Sequence, residues 1–161
     1  MKGDGATTEE DSDDSGPESM TLVGHPASVF GADLLLGANL PGVDISSLWP
    51  EPSQAFSLWQ TYLERVNPLT KIIHVPSLQP YMMHVAHGAR NLPNAMATLM
   101  LSIFLMAVVS LTPHECLGLL GQSRAEVLKL YTAAVCSSLA RMDFIQSHSF
   151  TVLQALVLYL V

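Results

Sequence analysis

Residues Leu58 to Gln79 read LWQTYLERVNPLTKIIHVPSLQ and place a predicted helix, a helix breaker and a short extended segment in succession. Apolar residues in and just before this run recur at three- and four-residue spacing: Phe56, Trp59, Leu63 and Val66. This spacing predicts a helix that starts after an N-cap at Ser53 and buries one face. Pro68 lacks a backbone donor and disfavours helical geometry in its predecessor, so the helix is predicted to stop at Asn67.

An extended segment is predicted after this first helix. Residues 71–75, KIIHV, are rich in β-branched side chains, which favour extended backbone. Pro76 is expected to end the segment, and Ser77 is expected to cap the next helix. That second helix is predicted to run to about His87, with Gly88 in the left-handed position that follows a helix end.

An uncharged run, Ala95 to Leu111, predicts a helix that is apolar nearly all round, with Pro93 in its first turn. We interpret this run as a buried central helix. Its length also reaches the short end of the roughly 17 to 25 residues that span a bilayer. Thr98 and Ser102 interrupt the run and no strong Lys/Arg asymmetry flanks it, so a membrane span is the less favoured interpretation.

Capping boxes mark the next two helices. Thr112 and Glu115 predict the start of a short helix that ends near Gly121, and Ser123 and Glu126 repeat the pattern for a longer one. The face that this longer helix is predicted to bury comprises Val127, Leu130, Tyr131, Ala134, Val135, Ser138 and Met142. Its basic residues, Arg124, Lys129 and Arg141, are expected to face solvent.

The last predicted helix, Phe150 to Val161, follows an N-cap at Ser149. It is apolar and carries no glycine, proline or Lys/Arg signal at its end. Such a helix needs a partner surface, so we expect solubility problems or self-association through it.

Four separated blocks together resemble the fungal-specific transcription factor domain, the middle homology region of fungal zinc binuclear cluster transcription factors. The blocks are LWQTYLERVNPLTKIIHVPSLQPYM, NLPNAMATLMLSIFLMAVVSLTPHECLGLLG, SRAEVLKLYTAAVCSSLARMDF and SFTVLQALVLYLV, within Leu48 to Val161. One small departure is Asn67, where an Asp often precedes the proline in this family.

The resemblance implies an all-α helical array that regulates transcription by RNA polymerase II in the nucleus, often of metabolic or biosynthetic genes. It also implies that the chain is the N-terminal portion of a longer regulatory domain, truncated after the last helix. The family motif residues, to which we assign a structural role around the first helix pair, are Trp59, Leu63, Pro68, Leu69, Ile72, Ile73, His74, Pro76 and Leu78.

The family's DNA-reading element, a six-cysteine cluster that holds two zinc ions, is missing from this chain. The chain has only Cys116 and Cys136, which lie twenty residues apart in apolar surroundings and are expected to be buried thiols. We therefore expect no cofactor here, and zinc only if a six-cysteine segment exists elsewhere.

The acidity of the chain is concentrated at its N-terminus. Residues 1–18 carry seven acidic residues and one lysine, whereas the remainder is nearly neutral within a total net charge of −7. We predict a disordered acidic tail over residues 1–20, a Gly/Pro-containing linker over 21–50 and the regulatory domain over 51–161. A solvated linker is the favoured interpretation of the tail over an activation segment, because its acids do not alternate with bulky apolar residues.

Basic residues are not clustered anywhere in the sequence, so we expect no direct DNA contact from this chain alone. The expected partners are other transcription factor chains or coregulators, with homo- or hetero-association through exposed helical faces. No membrane partner is expected.

Catalysis has no comparable support in the sequence, and we expect no enzyme activity and no catalytic or metal site. Only His84 and His87 share a helical face at metal-ligand spacing, and a stable site needs further ligands. Asp143, His148 and nearby serines have the residue types of a catalytic triad, but turn and capping roles are the simpler interpretation.

A small-molecule sensor is the alternative function, with a small membrane protein as a less favoured one. A helical domain rich in methionine could enclose an apolar effector, although methionines at helical spacing usually fill a core. The candidate lining residues are Met82, Met83, Met96, Met100 and Met106.

Overall fold

A computed structural model of the chain describes residues 48–88, 91–142 and 148–161. The described part is built from helices and contains no strand, in agreement with the predicted all-α fold. The elements are α1 (Pro52–Thr61), a π-helical turn (Tyr62–Val66), α2 (Asn67–Thr70), α3 (Val75–Ala86), α4 (Asn94–Ser110), α5 (Pro113–Leu120), α6 (Arg124–Arg141) and α7 (Phe150–Leu160). The predicted acidic tail, most of the predicted linker and Asp143 lie outside the described residues.

The first helix does not stop at Asn67, so that prediction was wrong. The π-helical turn joins α1 to α2, and the Asn67 N–H donates to the Tyr62 carbonyl five residues earlier. In a regular α-helix the ring of Pro68 would clash with the carbonyl four residues before it. The wider turn accommodates the proline, and the helix ends only at Lys71, whose φ of 48° is left-handed.

The start of α1 differs from the prediction in its cap and in its buried face. Glu51, not Ser53, is the N-cap, and its N–H donates to Oε1 of Gln54 at 3.1 Å, while Pro52 occupies the first turn. Phe56 was predicted to be buried but is 46% exposed. The buried face consists of Ala55, Leu58, Trp59, Tyr62 and Val66, which fit helical spacing equally well.

The segment between α2 and α3 is shorter than predicted. Helix α3 begins at Val75, with His74 as its extended N-cap, so Pro76 lies inside the first turn and does not precede the helix. Ser77 is therefore not the cap, and its hydroxyl lies 2.8 Å from Nδ1 of His74. The end of α3 agrees with the prediction, because the helix stops at Ala86 and Gly88 has a φ of 83°.

Helix α4 is the buried axis of the molecule, as predicted, although Pro93 is its N-cap instead of a first-turn residue. It packs against α7, α6, α1 and the π-helical turn, and every residue from Thr98 to Leu105 is buried. Its two buried hydroxyls are satisfied within the helix, since Thr98 donates to the Asn94 carbonyl and Ser102 to the Thr98 carbonyl. No described helix is long and apolar enough to cross a membrane.

The helices α5 and α6 begin at the predicted capping boxes. Glu115 N–H donates to Thr112 Oγ1 and Glu126 N–H donates to Ser123 Oγ, each at 3.3 Å. Helix α5 ends at Gly121, whose φ of 70° places it in the left-handed region. Most of the face predicted for α6 is buried, whereas Leu130 is 39% exposed.

Two residues before α1 belong to the core. Leu48 and Trp49, which fall in the range predicted as linker, are both buried. The Trp49 ring meets the Phe104 ring of α4 edge to face, with centroids 6.1 Å apart. The packed unit therefore extends at least to Leu48.

Candidate functional site

The family motif residues divide between the core and the surface. Trp59, Ile73 and Leu78 are buried in the core, with Leu63 and Ile72 packed against it. This places these five residues where α1 packs on α3 and where the chain turns between them. Pro68, Leu69, His74 and Pro76 are exposed.

The turn that follows α2 is tied to the last helix by a contact that sequence reasoning did not identify. Gln154 Nε2 on α7 donates to the Ile72 carbonyl at 2.8 Å. The two residues are 82 positions apart, so no local pattern could indicate the contact. It fixes the motif turn and α7 to the same side of α4.

Two arginines bind the C-terminal end of α4. Arg124 donates from Nε to the Val108 carbonyl at 3.3 Å and from Nη2 to the Val109 carbonyl at 2.7 Å. Arg65 donates from Nη1 to the Ser110 carbonyl at 3.1 Å. The Val108 carbonyl also accepts from the Leu111 N–H at 3.2 Å. The two guanidinium charges lie favourably at the negative end of the helix dipole. Arg124 was predicted to face solvent, so that part of the prediction was wrong.

Glu115 completes this arginine cluster. Its carboxylate accepts two hydrogen bonds from Arg65, at 2.7 and 3.1 Å, and one from the Thr112 N–H at 2.8 Å. The hydrogen bond from Arg65, followed by the bonds to Thr112, lowers the pKa of Glu115 to about 2. The cluster joins the π-helical turn, the end of α4 and the start of α5.

A cleft of about 270 Å³ opens beside the start of α1. It is lined by Leu48, Trp49, Pro50, Glu51, Gln54, Leu120, Gln122, Val127, Leu130 and Tyr131. Burial raises the pKa of Tyr131 to about 12. None of the five methionines proposed to enclose an effector lines this cleft, and Met82 and Met100 are instead fully packed in the core.

The two cysteines do not fit the family's zinc cluster. Both are buried in reduced form, and the Cys136 thiol donates to Tyr159 Oη at 3.0 Å. Burial raises the pKa of each thiol, which opposes the thiolate form that zinc requires. Within the described ranges no group of three or more His, Cys, Asp or Glu could hold a metal ion. His84 on α3 and His87, the C-cap of that helix, are both exposed.

The outward side of α7 is an apolar surface. Phe150, Leu153 and Leu160 are 71%, 54% and 61% exposed, and Val157 between them is half-buried. The opposite side of the helix, carrying Val152, Ala155 and Leu158, is buried in the core, where α7 packs mainly on α4. We define the outer face of α7 as Phe150, Leu153, Val157 and Leu160.

Curated proteins similar to this chain are transcription factors and regulators of fungi. The chain is 42% identical, over 94% of its length, to the pyriculol/pyriculariol biosynthesis cluster transcription factor 1 of Pyricularia oryzae. It is 39% identical over 81% of its length to the transcriptional regulator nsrM of Aspergillus novofumigatus. It is 31% identical over 90% of its length to the C6 finger domain transcription factor adaR of Aspergillus niger.

The similarity covers a limited part of each relative. The chain spans 20%, 18% and 19% of the lengths of these three proteins, or about a fifth of each. No family model matches the chain. No solved structure matches it either.

Proposed function

We propose that this chain, which belongs to the fungal C6 finger transcription factors as a segment spanning about a fifth of their length, regulates transcription through protein contacts in the nucleus. The observation that carries the proposal is the 42% identity to a biosynthesis cluster transcription factor over 94% of the chain. The other relatives bear regulator or transcription factor names as well. Control of a biosynthetic gene cluster by RNA polymerase II is the corresponding process.

The described surface supports action through protein contacts in place of DNA contacts. Arg65 and Arg124 already use donors on carbonyl groups and on Glu115, so part of the hydrogen-bonding capacity of each guanidinium is used within the fold. Outside this cluster, the described basic side chains are Lys71, which follows α2, and Lys129 and Arg141, which lie more than three turns apart on α6. DNA reading is assigned to another segment or partner, and zinc to a six-cysteine segment elsewhere.

A regulatory role, not an enzymatic one, also agrees with the chemistry of the described residues. Three buried hydroxyl groups have structural roles, because Thr98, Ser102 and Ser138 each donate a hydrogen bond to a carbonyl within their own helix. The described titratable groups with altered pKa values are a cap carboxylate, the arginine paired with it, tyrosines and buried thiols. Such shifts arise from structural burial and ion pairing.

The test is to tether the 161-residue chain to a reporter promoter in a fungal host through a DNA-binding module of unrelated origin. The proposal predicts a several-fold change in reporter output, upward for an activator and downward for a repressor. The same chain without the module should leave the reporter unchanged. A matched control is Leu101→Asp, which places an unpaired charge in the core and should abolish the effect by unfolding the chain.

Unchanged reporter output from a fusion that is expressed, nuclear and folded would contradict the proposal. Folding is checked by the cooperative thermal unfolding of the same chain in isolation. Tight binding of the purified chain alone to promoter DNA in a gel-shift assay would contradict the assignment of DNA reading to another segment or partner.

A further inference from the structure

The cleft of about 270 Å³ between the start of α1, the end of α5 and α6 carries chemistry that the proposed function does not use. We infer that this cleft binds a small, non-anionic aromatic compound, which accepts a hydrogen bond from Tyr131 at the inner wall and donates one to Glu51 at the rim. The inference goes beyond the proposed function, which needs no ligand.

Tyr131 supplies a hydrogen-bond donor at the inner wall of the cleft. The residue is only 5% exposed, yet its hydroxyl makes no hydrogen bond to any other residue that the structure describes. Unlike the hydroxyl of Tyr62, it is not sealed from solvent, so it opens to the cleft that Tyr131 lines. Burial raises the pKa of Tyr131 to about 12, so the hydroxyl stays protonated at neutral pH. A buried tyrosine hydroxyl usually has a partner, and an acceptor on the ligand supplies one here.

Glu51 sets the chemistry of the rim. It is exposed, and it is the one charged side chain among the residues that line the cleft. An ionised carboxylate accepts hydrogen bonds and repels anions, so the group that matches the rim is a hydroxyl or an amine. Gln54, which also lines the cleft, already uses both ends of its amide: Nε2 donates to the Leu119 carbonyl at 3.3 Å, and Oε1 accepts from the Glu51 N–H.

Apolar side chains form the walls between these two polar ends. Trp49 lines one side, and its ring is fixed by the edge-to-face contact with Phe104. Val127 and Leu130 of α6 line the other side, and Leu130 is 39% exposed. A flat aromatic ring fits against an indole and aliphatic side chains, and it would remove the exposed surface of Leu130 from water. The body of the ligand is therefore an aromatic ring.

The volume of the cleft limits the size of the ligand and its affinity. Sites for drug-sized ligands occupy roughly 300 to 1,000 Å³, so a cleft of about 270 Å³ suits a compound with one ring. The bond from Gln54 to the Leu119 carbonyl holds α1 to the end of α5, so the cleft is formed before binding. So few ligand atoms give a dissociation constant of about 0.1 to 10 mM.

The experiment titrates the 161-residue chain with para-hydroxyacetophenone, a one-ring compound with a ketone acceptor and a hydroxyl donor at opposite ends. Heteronuclear NMR follows the indole N–H signals of the two tryptophans: Trp49 lines the cleft and Trp59 does not. We expect a saturable shift of the Trp49 signal, with the Trp59 signal nearly unchanged. The comparison compound is para-ethylphenol, which has the same shape and hydroxyl but lacks the ketone.

Tyr131→Phe should weaken binding of the ketone by about three- to tenfold and leave binding of para-ethylphenol unchanged, because only the ketone accepts from the hydroxyl. The variant should keep the thermal midpoint of the parent chain, since this hydroxyl bonds to no other described residue. The matched control is Tyr81→Phe on α3, which lies outside the cleft.

Two results would overturn the inference. One is the lack of a saturable Trp49 shift at about 20 mM probe, twice the weakest expected dissociation constant. The other is an equal loss of both compounds in Tyr131→Phe. The tethered reporter contains no added compound, so failure of the cleft to bind leaves the proposed function standing, and an inactive reporter leaves the binding result standing.

Discussion

At the scale of single residues, the C-terminal end of α4 shows how a buried helix terminates without a glycine. The Val108, Val109 and Ser110 carbonyls accept hydrogen bonds from two arginines that come from different elements. Charged donors make stronger hydrogen bonds than neutral ones, so removal of an arginine would weaken the helix end, although the Val108 carbonyl would keep its bond from the Leu111 N–H. The arginines are thus structural residues whose charge serves the helix end.

Arg124→Met should lower the free energy of unfolding by about 1 to 2 kcal/mol, because it keeps the aliphatic stem and removes both donors. Lys129→Met on the same helix is the control, and its exposed side chain predicts a change within about 0.5 kcal/mol. Urea unfolding followed by circular dichroism measures both. Equal effects of the two substitutions would contradict a structural role for Arg124.

Glu115 should make the chain sensitive to acid in a defined window. Its pKa is lowered from 4.5 to about 2 in the folded protein, chiefly by the hydrogen bond from Arg65. A lowered pKa stabilises the fold above pH 4.5, and that stabilisation is lost as the pH falls toward 2. In Glu115→Gln the urea concentration at the unfolding midpoint should depend less on pH between these two values. An unchanged dependence on pH in the variant would contradict this assignment.

At the scale of elements, helix boundaries separate what the sequence could predict from what it could not. The capping boxes at Thr112 and Ser123 and the left-handed glycines are local signals, and the structure confirms them. The continuation of α1 through Pro68 was not predictable in this way, because it depends on a π-helical turn. Phe56 was wrongly predicted to be buried, because two overlapping sets of apolar residues on α1 both satisfy helical spacing. Only the tertiary neighbours decide which set is buried.

The two glycines of the α5 region should respond oppositely to alanine. Gly121→Ala should destabilise the protein by about 1 to 2 kcal/mol, because its φ of 70° is unfavourable for a residue with a Cβ. Gly118→Ala, within the helix and with open space around its Cβ position, should stabilise it by roughly 0.5 to 1 kcal/mol. Thermal unfolding of both variants measures the changes in stability. If both substitutions change the stability in the same direction, the position of the glycine relative to the helix does not determine the effect.

At the scale of the whole molecule, α4 is the axis on which the other helices depend. Its uncharged, all-round apolar composition predicted a buried helix, and this was the most reliable inference from the sequence. The contacts that orient its neighbours were not predictable, because Gln154 reaches Ile72 and Arg65 reaches Ser110 across long stretches of chain. The candidate site was only partly foreseen: the final helix was expected to need a partner surface, but the side of α7 that stays exposed was known only from the fold.

Removal of residues 148–161 should convert the chain into a state with helical circular dichroism but without cooperative unfolding. The reason is that α7 covers a large part of α4, and its loss exposes apolar surface that binds 8-anilinonaphthalene-1-sulfonate. Gln154→Met is the graded control, since it leaves α7 in place and should cost about 1 kcal/mol. A sharp thermal transition in the shortened chain would contradict the dependence of the core on α7.

The reactivity of the buried Cys136 thiol depends on the motion of α7. It lies buried between α6 and α7 and donates to Tyr159 Oη, and its burial raises the thiol pKa. A disulfide reagent reacts with the thiolate, so labelling must await the moment when α7 separates from α6. The labelling half-time of Cys136 therefore reports how often the last helix detaches from an otherwise folded molecule.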